Sequence, residues 1–290
     1  VLTDLSIIVL LFGFFVYLLL GWLVKLDKES TDLELIYASS LVVMLFSFLI
    51  FKGLFITYGP DIIRQNIPQT LLNQYFASFN IFEAIYQIGI IPFVFGIYVI
   101  YKHLFVQKSR NLYIIISFAL SVSFLIWVGM IELKVGMIFF SIVLAILSGE
   151  AYRMLSEYLK KTKLAKYYAL FVSVFIIFVL LTSFLPSVLY ARLSVANEID
   201  EKEIRALEWL KGNTPENAVV VGSTAAGHLI TAIANRKNIM DTNYLMQVNA
   251  EQRLLDLNTI YSTRFQTDAV RLLNKYGASY ILFSNQEKEY

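Results

Sequence analysis

The residues most able to do chemistry stand at the edges of long apolar runs, where an ionisable group is costly and usually functional. Glu83 opens such a run in "FASFNIFEAIYQIGIIP". A carboxylate there is also close to a helix amino terminus, whose dipole favours negative charge, so plain capping fits as well as chemistry. Lys52 interrupts another run in "FLIFKGLFITYGP". Two roles fit it: its ammonium can snorkel to the interface, or line an outward-facing cavity and hold a phosphate or pyrophosphate. The stretch 59–80 before Glu83 is too long for a minimal turn and carries Asp61, Arg64, Asn66 and Gln69, and long ordered loops are often functional. His228, one of two histidines, ends "GSTAAGH". Backbone N–H groups at such a turn attract anions, but it lacks the Lys-Ser/Thr of a Walker A loop and the spacing of a dinucleotide fingerprint. Ordinary hydroxyl capping explains it, and a hydrogen-bonded structural role for His228 stands beside a ligand-binding one. His103 is assigned no role. Neither a paired-His zinc motif nor a Ser-His-Asp constellation is present.

These side chains must be held by a membrane bundle. With 58% hydrophobic and 15% aromatic residues and a mean hydropathy of +0.64, the chain is too apolar for a soluble globule. Crossing hydrocarbon takes roughly 20 mainly apolar residues. Spans are expected at about 5–24, 35–57, 82–101, 112–131, 135–151 and 167–188. The fifth is the weakest, its uncharged core being short and set between Lys134 and Glu150, so neighbouring helices or charged ends must cover the mismatch. The first has no basic leader and too long an apolar run for a signal peptide. The chain begins at Val1, at the mouth of a span, and an amino-terminal portion is expected to precede it. Cysteine is absent, which removes disulfides and thiolate metal sites, and a net charge of +2 is too small to argue for nucleic acid.

Lys and Arg concentrate in alternate connections: Lys25 and Lys28, then Lys102, Lys108 and Arg110, then Arg153 and the "YLKKTKLAK" cluster, which anchors at an inner leaflet. The other connections hold only Arg64 and Lys134. The basic set is expected in the cytoplasm of a multi-pass plasma-membrane protein, placing 58–81, 131–134 and everything after about 190 outside. That division gives a transmembrane domain over 1–190 and an extracytoplasmic α/β domain over 191–290. In the latter, Asp200 with Glu203 resembles a capping box. Strands are expected at 218–221, 238–240 and 279–283, with helices between, Ser223 or Thr224 capping the first of these and Gly277 leading into the last strand. That rhythm predicts a small unit of mostly parallel strands. The overall fold class is therefore an all-α membrane bundle of about six helices followed by a small α/β domain.

Three stretches carry a family resemblance. "ALEWLKGNTPENAVVVGSTAAGHLITAIANRKNIMD", "NAEQRLLDLNTIYSTRFQTDAVRLLNKYGASYILFS" and "NIFE", Asn80 to Glu83, resemble the carboxyl-terminal half of the catalytic subunit of archaeal-type oligosaccharyltransferases, members of the GT-C superfamily of membrane glycosyltransferases. The likeness is moderate over 200–284 and thin over the spans. In that family a Thr-Ile-x-Glu motif stands where Asn80–Glu83 stands here, and a Trp-Trp-Asp-Tyr-Gly signature that helps recognise the Asn-x-Ser/Thr sequon stands where Ser223, Thr224, Ala225, Ala226 and Gly227 stand here. Four of those five are changed, so the usual sequon pocket cannot form.

The resemblance implies transfer of a sugar or oligosaccharide from a polyprenyl-phosphate-linked donor to an extracytoplasmic protein or glycan acceptor. It makes Glu83 the candidate catalytic residue and the candidate ligand of a divalent metal, Mg or Mn. It sets Asn80 beside Glu83 among the substrate-binding candidates, which also include Lys52, Arg64 and His228. It makes Lys134 a cation for the lipid phosphate, with interface anchoring as the alternative. Arg236 and Asp241 match family positions too, and an ion pair within the domain would explain both. The family's metal-binding aspartates lie in its first outer loop and have no counterpart here. Either they precede Val1, or the chain is a noncatalytic scaffold or accessory subunit that binds a partner through its outer domain. A transporter is disfavoured, since no inverted repeat or pair of broken helices is visible; Pro92 is a lone kink candidate.

Overall fold

A computed structural model describes residues 7–25, 30–76, 82, 85, 88–186, 188, 189, 192 and 201–284. The chain divides into two compact units, one made of Val1–Thr57 and Gln74–Ala196, the other of Tyr58–Asn73 and Asn197–Tyr290.

The first unit is helical. Its elements are α1 (Ile7–Leu23), α2 (Ser30–Tyr58, whose last residue belongs to the second unit), α3 (Ile90–Phe105), α4 (Arg110–Val128), α5 (Leu133–Lys160) and α6 (Tyr168–Val179), which continues as a wide turn over Leu180–Phe184. Among the described residues four helices are long and apolar enough to cross a membrane, at Thr31–Tyr58, Arg110–Val128, Leu133–Lys160 and Lys163–Phe184. This is a membrane protein. Helices α1 and α3, of 17 and 16 residues, are apolar but shorter.

Small residues set the close approaches within this unit. A Cβ on Gly96 of α3 would stand 2.7 Å from Leu144 Cδ2 and 3.2 Å from Leu144 Cα on α5, and one on Gly13 of α1 would meet the Phe118 ring of α4. Val99, Ile116, Val122, Leu125, Leu144 and Leu147 fill the resulting core and are essentially inaccessible. Helix α6 buries none of its most apolar stretch, so its side chains require lipid as their solvent.

Two expectations change. Helix α5 is not the short span that its apolar core suggests: it runs 28 residues, through Glu150. Arg153, one turn on, donates to both Glu150 oxygens at 2.8 and 2.6 Å, so the carboxylate is neutralised on the helix surface and does not end it. Near Pro92 the third expected span breaks at Gly89, and Pro92 itself lies in the first turn of α3, where a missing N–H costs nothing. The turn before it needs Gly89, whose φ is 91° and whose absent Cβ would lie 2.3 Å from Ser183 Oγ.

The second unit is built on three strands, β1 (Val219–Val221), β2 (Lys237–Asn238) and β3 (Ala278–Ile281), ordered β2-β1-β3 and parallel throughout. Val219 and Val220 pair with Lys237 and Asn238; on the other side Val220 and Val221 pair with Tyr280 and Ile281, after a register shift at Val219/Val220. Around the sheet stand α7 (Glu201–Asn213), α8 (Thr224–Leu229, widening over Ile230–Ala234), α9 (Ala250–Ser262) and α10 (Gln266–Tyr276). Leu207, Leu210, Val220, Ala226, Ile230 and Leu282 close the core between sheet and helices. Local signals behave as their chemistry requires. Ser223 Oγ accepts from Ala226 N–H at 3.2 Å as the cap of α8. Gly277, at φ 61°, ends α10 and releases the chain into β3. Asp200, the expected cap of α7, lies outside the described residues.

The segment 58–73, read from sequence as a loop of the bundle, clusters with this second unit. It folds as 3-10 turns at Gly59–Arg64 and Gln69–Leu71 and buries Ile62 and Ile67.

Candidate functional site

The carboxyl edge of a parallel sheet is where α/β folds place ligands, because helix starts and strand ends converge there. Here β1 leads into Gly222 and Ser223, and β2 leads into Ile239, Met240 and Asp241. The two ends are drawn together by Gly227, since a Cβ there would fall 2.1 Å from the Met240 carbonyl oxygen and 3.0 Å from Asp241 Cα. Of the five signature positions this is the one that keeps the family's residue, and the packing explains it without reference to a ligand.

That approach assembles a polar network. His228 Nε2 and Thr242 Oγ1 are 2.6 Å apart, and His228 Nδ1 lies 3.9 Å from Asp241 Oδ2. Asp241 Oδ1 accepts from Asn243 N–H at 2.8 Å and from the Gln247 side chain at 2.7 Å. Asn238 donates to the Gly227 carbonyl at 2.7 Å. The segment 58–73 locks on from the other side: Tyr58 Oη and Asn66 Nδ2 donate to the Gln247 carbonyl at 3.0 and 2.9 Å, Asn66 also reaches the Tyr244 carbonyl at 2.9 Å, and Gln69 N–H donates to Glu251 Oε2 at 2.6 Å. The side chain of His228 is 51% exposed against 22% for Asp241. The imidazole is therefore the accessible part of the network, offering a hydrogen bond to a hydroxyl or amide while Asp241 and Thr242 fix its ring.

The sequence candidates fall as follows. Glu83 and Asn80 lie outside the described residues. Lys52, on α2, and Lys134, in the first turn of α5, are exposed side chains of the first unit. Arg64 is exposed at the end of a 3-10 turn and shares the second unit with His228. Among the described residues no hydrogen bond or ion pair joins Lys52 to Lys134 within the first unit, or Arg64 to His228 within the second. The residues that sequence reading passed over are Asn238, Thr242 and Gln247, together with the docking role of Tyr58 and Asn66. No spacing rule links positions nearly two hundred residues apart.

Two further clusters hold the unit together. Arg236 does not pair with Asp241, contrary to the ion-pair reading. It is buried and donates to the Lys211 carbonyl at 2.7 Å, the Thr214 carbonyl at 2.6 Å and Thr214 Oγ1 at 2.8 Å, so its guanidinium caps the carboxyl end of α7, where a cation is favoured. Asp256 on α9 accepts from Lys275 at 2.5 Å and Tyr276 at 2.6 Å, both on α10, and from Gln252 at 2.7 Å. Burial pushes its carboxyl up, but those three hydrogen bonds and the Lys275 charge outweigh burial and hold it below the usual carboxylate range. The same contacts raise the Lys275 ammonium, led by its bond to Asp256.

Among the described residues no three His, Cys, Asp or Glu side chains are grouped to hold a metal ion. The donor set for the expected divalent cation is therefore not met by these residues.

The model of the family described as "Dpy19: Q-cell neuroblast polarisation" matches residues 31–287. The chain belongs to the Dpy19 family. No curated protein matches its sequence. Among solved structures, this Dpy19-family chain is similar to the archaeal oligosaccharyltransferase AglB from Archaeoglobus fulgidus in complex with an inhibitory peptide and a dolichol-phosphate, with a TM-score of 0.56 and 16% identity over 83% of this chain and 34% of that one. It is also similar to the Archaeoglobus fulgidus oligosaccharyltransferase tethered to an acceptor peptide containing the NVT sequon (TM-score 0.55, 16% identity, 83% and 32% covered) and to the apo form (0.53, 18%, 83% and 34%). The expected resemblance to archaeal-type oligosaccharyltransferases holds at the level of fold. The chain spans about a third of the length of those structures.

Proposed function

We propose that this chain is the carboxyl-terminal part of a GT-C-type membrane glycosyltransferase that moves a sugar or oligosaccharide from a polyprenyl-phosphate-linked donor to an extracytoplasmic acceptor. The observation that carries the reading is the oligosaccharyltransferase fold over 83% of the chain, in a family whose model matches residues 31–287. The solved relatives support the two substrate classes, since one holds a dolichol-phosphate with an inhibitory peptide and another an acceptor peptide.

In this reading the bundle is multi-pass in the plasma membrane, with six spans, and the second unit is its extracytoplasmic domain. Such a reaction must neutralise a leaving phosphate and orient a nucleophile, and preorganised charge is commonly the largest contribution to the rate. Lys134 and Lys52, exposed cations of the bundle, supply positive charge toward the lipid phosphate. Glu83 positions the acceptor, and Asn80 of the same motif is a further acceptor contact. A divalent cation, Mg or Mn, would add Lewis acidity at the same phosphate, with Glu83 the one candidate ligand in this chain. Arg64 and the accessible His228 contribute acceptor contacts from the second unit. Because Ser223–Ala226 lack the bulk and carboxylate of the sequon-reading signature, the acceptor differs from the standard sequon.

The test is sugar transfer in membranes carrying the full-length protein and a polyprenyl-phosphate-linked donor. Glu83→Gln is expected to lose transfer at least a hundredfold at unchanged expression, since it removes charge while keeping shape. Turnover equal to wild type would overturn the assignment and favour a partner-binding scaffold.

A further inference from the structure

A second polar site lies within the bundle unit and involves none of the residues assigned to the proposed transfer reaction. Where α3 ends, α4 begins and α5 carries its charged carboxyl-terminal third, the helices leave a cavity of about 670 Å³. Arg153, one of three cations on its wall, is taken up by Glu150 at 2.6 Å and stands 3.6 Å from Glu157. The other two form no ion pair with a carboxylate among the described residues. Lys102 Nζ reaches only the Met154 sulfur at 3.1 Å and the Tyr98 ring, 5.9 Å to its centroid, while Lys161 forms no ion pair among the described residues. The wall thus carries one more positive charge than negative.

His103 makes the cavity more than a charged surface. His103 is 4% exposed, and neither Nδ1 nor Nε2 has a hydrogen-bond partner among the described residues. The Gln107 backbone stands near the ring without completing a hydrogen bond to it. A buried imidazole left in this state forfeits the bonds it would make in water. Its backbone is held in place, since Tyr113 Oη donates to the His103 carbonyl at 3.1 Å. The amino-terminal end of α4 completes the wall through Ser109, whose hydroxyl caps nothing, and Asn111. The dipole of a 19-residue helix favours an anion at this end.

An unpaired lysine pair, an orphaned imidazole and a helix amino terminus, with an excess of one positive charge, suit a singly charged oxyanion with several acceptor oxygens. We infer that this cavity binds a phosphate group, accepting from the Lys102 and Lys161 ammonium groups and from one His103 ring N–H. Two sources share that chemistry: the headgroup of a membrane phospholipid and free inorganic phosphate. The site is separate from the proposed transfer reaction, so its test reads binding rather than turnover.

Two arms distinguish the sources. In the first, delipidated full-length protein in detergent is titrated with inorganic phosphate against chloride of equal ionic strength, and thermal unfolding is followed. In the second, the protein is placed in phosphatidylcholine nanodiscs with increasing phosphatidylglycerol, and retained phospholipid is counted by native mass spectrometry. Saturable stabilisation or retention is expected in at least one arm, the responding arm naming the source. Lys102→Gln, Lys161→Gln and His103→Gln are each expected to weaken it at least about tenfold. Lys161 is exposed, so that variant reads the site without disturbing the core. Lys163→Gln, a charge-matched change outside the cavity, is expected to leave it unchanged. No saturable response in either arm, an unchanged response in all three cavity variants, or equal weakening by Lys163→Gln would each overturn the inference.

Discussion

Gly227→Ala tests whether the second unit's candidate site is set by backbone packing. The added methyl carbon would lie 2.1 Å from the Met240 carbonyl oxygen and 2.9 Å from Asp241 Cβ. An ordinary carbon–oxygen contact is about 3.3 Å, so α8 and the end of β2 must separate by about 1 Å, and both obstructing groups belong to backbone or short side chain that no rotamer change relieves. The His228–Thr242 contact, now 2.6 Å, would then open to about 3.6 Å, outside hydrogen-bond range. Overpacking of this kind costs about 1–3 kcal/mol, which accelerates hydrogen exchange through local opening by about 5- to 150-fold. The assay is hydrogen exchange by mass spectrometry on the full-length protein, comparing peptides over 219–243 with peptides of α4 and α5. Ala225→Ser, at an exposed position of the same helix, is the control and is expected to change little. Unaltered protection over 219–243 in Gly227→Ala would refute the claim that this glycine fixes the site.

Arg236→Lys keeps the charge but cannot reach the Lys211 and Thr214 carbonyls and Thr214 Oγ1 together; the loss of about 2–3 kcal/mol is expected to raise exchange in α7 and β1 by about 30- to 150-fold. The depressed carboxyl of Asp256 contributes stability that is present above the unfolded carboxylate pKa, about 3.9, and is lost as pH falls through the lower folded value. Acid unfolding below about pH 4 should therefore be shallower in Asp256→Asn, by up to about one bound proton in the linkage slope. In the bundle, Gly96→Ala places a methyl against Leu144 backbone and is expected to cost about 1–3 kcal/mol, read as a lower melting temperature in detergent. Gly53→Ala on α2, which meets nothing within 4 Å, should be neutral or stabilise slightly.

Features that depend on neighbouring residues were legible without coordinates. Apolar runs placed a helix in each expected span, because helix position follows from which consecutive residues avoid water. The β-branched run at Val219–Val221, the Ser223 cap and the Gly277 stop did the same for the α/β unit. Where charge is weighed alone, local reading underestimates length: the fifth span is expected over about 135–151 with a short uncharged core, and the pairing of Glu150 with Arg153 on one helical face helps α5 continue to Lys160.

From the residues themselves came the membrane class, the helix–sheet order and the oligosaccharyltransferase likeness, all set by composition and short-range pattern. Tertiary structure alone decided that 58–73 clusters with the second unit, that Arg236 caps α7 instead of meeting Asp241, and that His103 is buried with no hydrogen-bond partner for its ring among the described residues. Each of these depends on which distant groups satisfy a polar atom once water is gone, and partner choice across long sequence separations leaves no periodic trace along the chain.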